Sequence, residues 1–218
     1  MKRWWDFEKR SQSFGEEVAN SISHGLGLIA ALAGAPFLLV RAQGADGATA
    51  AGAWLFALSM VLLYLASTLY HALPRGRAKR LFKTVEHSAI YLLIAGTYSP
   101  IALGVLRGPW GWTLFGLIWT LAVCGVLLKV FGKLNHSVLS TCLYLLMGWL
   151  VVVALGPLAR RLSAQGVAWL VAGGLCYSLG VVFFAFDARI KYGHFIWHLF
   201  VLAGTFCHFG AIYWHAIA

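Results

Sequence analysis

The sequence predicts an all-α integral membrane protein, a bundle of seven transmembrane helices. Three observations lead there. Hydrophobic residues fill 61% of the 218 positions and charged residues only 11%, against about a quarter charged in soluble domains. A soluble core of this size has no way to hide so much apolar surface. Seven apolar stretches reach the ~20 residues needed to cross hydrocarbon, and charges or turn formers separate them. The stretches read as helices because lipid forces every backbone group to bond within its own segment. The two-residue polar alternation of a barrel strand is missing. The chain reads as one membrane domain with no second, polar domain.

By that ~20-residue criterion the spans fall at about 21–40, 50–71, 86–106, 111–130, 137–157, 167–187 and 194–216. Residues 1–20 read as a cytoplasmic, interfacial segment. Their start, MKRWWDFEKR, mixes charges with Trp4, Trp5 and Phe7 instead of the continuous apolar core of a cleavable signal. The expected breaks are 43–47, 74–83, 107–109, 129–136, 157–161 and 187–191. Pro100, inside the third span, is expected to kink it. Frequent glycines, among them Gly27, Gly96, Gly116, Gly173 and Gly174, read as places where helices approach closely. Cys124, Cys142, Cys176 and Cys207 lie inside apolar spans, form no CxxC pair and read as packing residues.

The basic residues set the expected orientation. Lys2, Arg3, Lys9, Arg10, Arg75, Arg77, Lys79, Arg80, Lys83, Lys129, Lys133, Arg189 and Lys191 fall on one side. Arg41, Arg107, Arg160 and Arg161 fall on the other. The positive-inside rule places the first group in the cytoplasm, the N-terminus inside and the C-terminus outside. A multi-pass protein of the bacterial cytoplasmic (inner) membrane follows. The net charge of +10 then answers to anionic headgroups rather than to nucleic acid.

On this topology the polar groups inside the spans share one depth. Ser67 and His71 end the second span, Glu86 begins the third, and His194 and His198 begin the seventh. Glu17, Asn20, Ser21 and His24 stand at helical spacing at the start of the first, as a capping or packing network or as an outer functional shell. Ionisable groups in hydrocarbon are costly and mark functional sites. His194 and His198, four apart, share a helix face ~6 Å apart. On spacing alone such a pair also suits bonds to backbone carbonyls or an aqueous vestibule. His71 at matching depth and Glu86 beside it shift the balance to zinc held by His71, His194 and His198, with one coordination position open as in catalytic sites. Glu86 would orient or deprotonate a water, and the Ser67 hydroxyl would bond a carboxylate, a water or a substrate oxygen. His87 points to another face, His136 lies in a loop, His208 is ~15 Å beyond His198 and His215 nears the outer interface. These four are set outside the metal shell. Haem needs an opposed pair, which HxxxH neighbours do not supply.

The residues Glu17-Val-Ala-Asn20-Ser21-Ile-Ser-His24-Gly25, Ser67-Thr-Leu-Tyr70-His71, Glu86-His87-Ser88 through Thr97-Tyr98-Ser99-Pro100, and His194-Phe-Ile-Trp197-His198 resemble those of bacterial hemolysin III proteins. With them they resemble the progestin and adiponectin receptor (PAQR) family, whose wider superfamily includes alkaline ceramidases. The resemblance runs over nearly the whole chain. It implies seven helices, an inside N-terminus and a zinc ion near the cytoplasmic side, with His71, His194 and His198 as ligands and Ser67 one turn before the first. Glu86 stands where many members carry aspartate beside the zinc-bound water. The extra methylene brings the carboxylate nearer the metal, even to direct contact. The resemblance also implies ceramide hydrolysis, lipid sensing and membrane homeostasis among relatives.

Together these readings favour a zinc-dependent intramembrane hydrolase of a lipid amide or ester, with a membrane lipid as substrate or ligand. A membrane sensor or regulator with structural zinc is the alternative. A lytic pore-forming protein is third, disfavoured because no long amphipathic insertion segment is present. The sequence identifies neither the lipid nor the oligomeric state.

Overall fold

The structure, a computed structural model, describes residues 10–134 and 137–217, without the side chains of 137 and 138. The interfacial reading of Trp4, Trp5 and Phe7 and the loop reading of His136 lie outside the described residues. Seven helices are long and apolar enough to cross a membrane, and no strand occurs among the described residues. They are α1 (Phe14–Ala42), α2 (Gly47–Ala72), α3 (Arg77–Pro100, continued by a π-helical turn Ile101–Val105), α4 (Pro109–Val130), α7 (Ala164–Ala185), α8 (Gly193–Ala211, continued by a π turn Ile212–Ala216) and a broken span. The broken span consists of α5 (Ser137–Trp149), a 3₁₀ stretch Leu150–Ala154 and α6 (Leu155–Arg161). Helix α1 packs on α2 and α8, α2 on α3, α3 on α4, and α7 on α8.

Three boundaries differ from the sequence expectation. Helix α1 starts at Phe14, so residues 14–20, read as part of the N-terminal segment, are already helical. Ser13 starts it with a capping box, in which its hydroxyl accepts from the Glu16 N–H and its own N–H donates to the Glu16 carboxylate at 2.9 Å. Helix α3 starts at Arg77, so most of the basic run expected as a break is helix. Lysine and arginine are good helix formers, and their charges end the hydrocarbon without ending the helix. Lys79 folds back to the carbonyls of Tyr70 and Leu73, at 2.9 and 3.2 Å.

The break expected at 157–161 is helical too. Pro157 sits third in α6, where the missing N–H costs nothing because the first four lack partners anyway. The interruption comes earlier, at 150–154. Lipid offers no partner for the freed backbone there, and Tyr98 of α3 supplies one. Its hydroxyl accepts from Val151 N–H at 2.8 Å and faces the carbonyls of Gly148 and Met147 at 2.7 and 2.9 Å as donor. Tyr98→Phe is expected to lower stability by about 1–3 kcal/mol, the cost of stranding a buried polar group. An unchanged thermal midpoint in detergent would contradict this.

Pro100 does not simply bend α3. The chain widens into the π turn and then stops at Gly108 (φ 85°), with Pro109 opening α4. Close helix contacts do use glycines. A Cβ on Gly52 would lie 2.7 Å from the Cα and N of Pro100, and one on Gly96 would overlap Ser59 Oγ. Gly116 faces open space instead, so its expected packing role is not met.

Candidate metal centre

Four spans bring their polar ends together. His71 and Ser67 come from the last turns of α2, Glu86 from α3, His194 and His198 from the first turns of α8, and Glu17, Asn20 and His24 from α1. One candidate ligand atom each from His71, Glu86, His194 and His198 lie within 4.8 Å of one another. His71 Nε2 stands 3.6 Å from Glu86 Oε1. His71, Glu86 and His198 are buried, and the His194 side chain is 12% exposed.

The hydrogen bonds on the far side of each ring fix its tautomer. His71 Nδ1–H donates to Glu17 Oε2 at 2.7 Å. His194 Nδ1–H donates to Asp187 Oδ2 at 3.2 Å. His198 Nδ1–H donates to the Asn20 carbonyl at 3.2 Å and to Ser23 Oγ at 3.1 Å, while Ser23 gives its own proton to that carbonyl. With Nδ1 protonated, a neutral imidazole keeps its lone pair on Nε2. All three Nε2 atoms are buried and make no hydrogen bond. Metal-binding histidines show this pattern, a ring oriented by a carboxylate or carbonyl behind it. The residues present therefore fit a metal ion.

Glu86 is held from behind. Ser67 Oγ–H donates to Glu86 Oε1 at 2.6 Å and accepts from His24 Nδ1–H at 2.7 Å. His24 stacks on His198 with ring centroids 3.5 Å apart and planes 4° apart, outside the ligand group. The Asn20 side-chain nitrogen donates to Gln12 Oε1 at 2.6 Å and lies 3.5 Å from His71 Nδ1. Ser21 bonds the Thr68 carbonyl at 3.2 Å, joining α1 to α2 away from the centre.

The histidines set aside stay apart. His87 bonds the Lys83 carbonyl, His208 the Leu170 carbonyl, and His215 the hydroxyl of Ser163. Sequence reasoning missed Asp187 and Ser23. A signal for Asp187 existed: the chain has only seven acidic residues, so one placed seven positions before a candidate ligand merited more than a loop assignment.

An apolar cavity of about 220 Å³ opens from the centre. His24, Glu86, His194 and His198 line one end, and Leu158 and Val167 the other. The side walls come from α3, α5, α7 and α8.

The family described as Haemolysin-III related matches residues 12–209, which include every residue of this centre. The chain is 42% identical over 210 residues to hemolysin-3 of Bacillus cereus, covering 96% of this chain and 95% of that protein. It is 40% identical over 208 residues to a hemolysin-3 homolog of Bacillus subtilis (strain 168), covering 93% and 95%. It is 30% identical over 212 residues to the monocyte to macrophage differentiation factor of Homo sapiens, covering 91% and 83%. A seven-helix membrane protein with a buried histidine and glutamate cluster able to hold a metal ion, this chain belongs to the haemolysin-III related family.

Proposed function

We propose that the centre holds zinc and that the protein is a zinc-dependent hydrolase of a lipid amide or ester. In this reading it sits in the bacterial cytoplasmic membrane with its N-terminus inside and serves membrane lipid homeostasis. The observation that carries the proposal is the set of three imidazoles with every Nδ1 bonded and every Nε2 buried and unpartnered, beside a carboxylate. Nitrogen donors favour zinc over calcium or magnesium, which take oxygen. The side with the metal-site ends of α2, α3 and α8 also carries most of the loop lysines and arginines, which supports the orientation.

When bound, zinc supplies a Lewis acid that polarises a carbonyl and acidifies water near neutral pH. The protein's own residues do the rest. Glu86 takes and returns the proton, with Oε1 anchored by Ser67 and the hydroxyl in turn anchored by His24. The apolar cavity holds an acyl chain and keeps bulk water from the reacting bond. Purified protein given a panel of ceramides and acyl esters is expected to release fatty acid. Glu86→Gln preserves the shape and the Ser67 contact, and it is expected to cost about 10²–10⁴-fold in kcat while the metal stays. Metal-free protein with undiminished turnover would sink the hydrolase reading.

The residues behind the ligands are expected to tune affinity. Asp187→Asn and Glu17→Gln should each weaken metal binding by about 10–100-fold. Competition against a chelating dye reads this directly, and wild-type affinity in both would contradict their role.

One observation favours a second reading, a sensor or regulator with structural zinc. Glu86 lies in the same 4.8 Å group as the three histidines, and four protein ligands are the mark of a structural site. Firmly bound zinc without turnover on a broad lipid panel, and a collapse of stability on chelation, would decide for it.

A further inference from the structure

The cavity carries a second polar station that the metal centre does not use. His208 lines it ten residues beyond His198 on α8, ~15 Å along the helix. Its Nε2–H donates to the Leu170 carbonyl of α7 at 3.2 Å. That bond assigns the proton to Nε2 and leaves Nδ1 as a bare acceptor. Nδ1 is buried and has no partner. Gly173 makes room for the ring, because a Cβ there would overlap the Cδ2 edge of His208. Beside it lies Tyr177, ring centroids 5.4 Å apart, also lining the cavity and bonded through its hydroxyl to Thr205 Oγ1 at 2.8 Å. The neighbouring wall is apolar, formed by Val167, Leu170 and Val171.

A stranded acceptor in apolar surroundings is costly. A plain hydrocarbon tail leaves it stranded, whereas a hydroxyl on the tail at this depth satisfies it. We propose that His208, flanked by Tyr177 and Thr205, forms a subsite for a hydroxyl group carried far along a lipid acyl chain. Lipids hydroxylated in mid-chain are therefore preferred over their unmodified counterparts. The proposal rests on the reading of the cavity as an acyl-chain site. It adds that the tail is recognised by a hydrogen bond and not by shape alone.

The test is equilibrium competition on the purified full chain, with labelled oleic acid displaced by three unlabelled acids. These are oleic acid, ricinoleic acid (its mid-chain hydroxyl analogue) and an oleic acid hydroxylated next to the carboxyl. Ricinoleic acid is expected to displace the label roughly tenfold better than oleic acid, the worth of one hydrogen bond in a dry site. Hydroxylation next to the carboxyl should give no such gain. His208→Phe should erase the advantage, so that oleic and ricinoleic acids displace the label equally, and Tyr177→Phe should reduce it. Equal binding of oleic and ricinoleic acids by the wild type overturns the subsite and leaves the acyl-chain reading standing. No binding of any of the three overturns both. A preference that survives in folded His208→Phe also overturns the assignment. If that variant does not fold, the wild-type comparison decides alone.

Discussion

His198→Ala is expected to strip the metal from the purified protein and to abolish hydrolysis. His198 is 1% exposed and its ring is doubly fixed, by the Asn20 carbonyl and Ser23 behind Nδ1 and by the His24 ring against its face. Alanine removes one of the three nitrogen donors of the ligand group, and His24, whose Nε2 is also buried and unpartnered, stands outside that group. His24 is stacked parallel to His198, and its Nδ1 is taken by Ser67. Loss of a donor should exceed the 10–100-fold penalty that follows from disturbing the groups behind one. Elemental analysis should fall from about one zinc per chain, as a three-histidine site holds one ion, to background. Circular dichroism should still show the helices, because their backbone bonds are internal to each span. A variant that keeps a full equivalent of zinc would remove the basis of both functional readings.

The second large effect is expected at Gly52, far from the metal. A Cβ there would sit 2.7 Å from Cα and N of Pro100 and 2.8 Å from the carbonyl carbon of Ser99. These are backbone atoms, and the proline ring stiffens them, so no rotamer change relieves the overlap. Helices α2 and α3 would have to part. Overpacking costs about 1–3 kcal/mol and sometimes more, and Gly52→Val belongs at the upper end. The gain in helix propensity over glycine, below about 1 kcal/mol, does not offset it. Because α2 carries His71 and α3 carries Glu86, the displacement should also weaken metal binding. A thermal melt in detergent, with and without chelator, measures both effects. An unaltered midpoint for Gly52→Val would show that the two helices are free to separate.

The spans were legible because hydrocarbon length and charge act directly on sequence. Their ends were less so. A hydropathy reading stops at a charge or a turn former, such as Lys83 or Pro157, whereas a helix stops where backbone partners run out. The convergence of His71, Glu86, His194 and His198 was legible because few polar residues occur in the spans and those few share a depth. The roles of the second set were not. Glu17 and Asp187 both orient imidazoles, yet one lies on a helix and the other in the turn before α8. Only the folded chain brings both behind the ligands. Ser67 was read as a partner for a carboxylate, a water or a substrate oxygen, and the structure gives it Glu86 and His24. The interruption at 150–154 left no trace in hydropathy, since Leu150, Val151, Val152 and Val153 are as apolar as any helix in lipid. Its sequence signal is Pro157, which cannot bond the Val153 carbonyl four residues back. The interruption also depends on Tyr98, some fifty residues away.

That phenol has a consequence for how such proteins diversify. Gly148 and Trp149, just before the interruption that Tyr98 bridges, and Val151 and Val152, within it, border the cavity, and none of them belongs to the group of four candidate ligands. In the proposed function, the contour of the tail chamber is thus set by a joint about three turns along α3 from Glu86. Substitutions around that joint are free to retune which chains fit while the histidines stay untouched, so chain preference and chemistry can evolve on independent tracks.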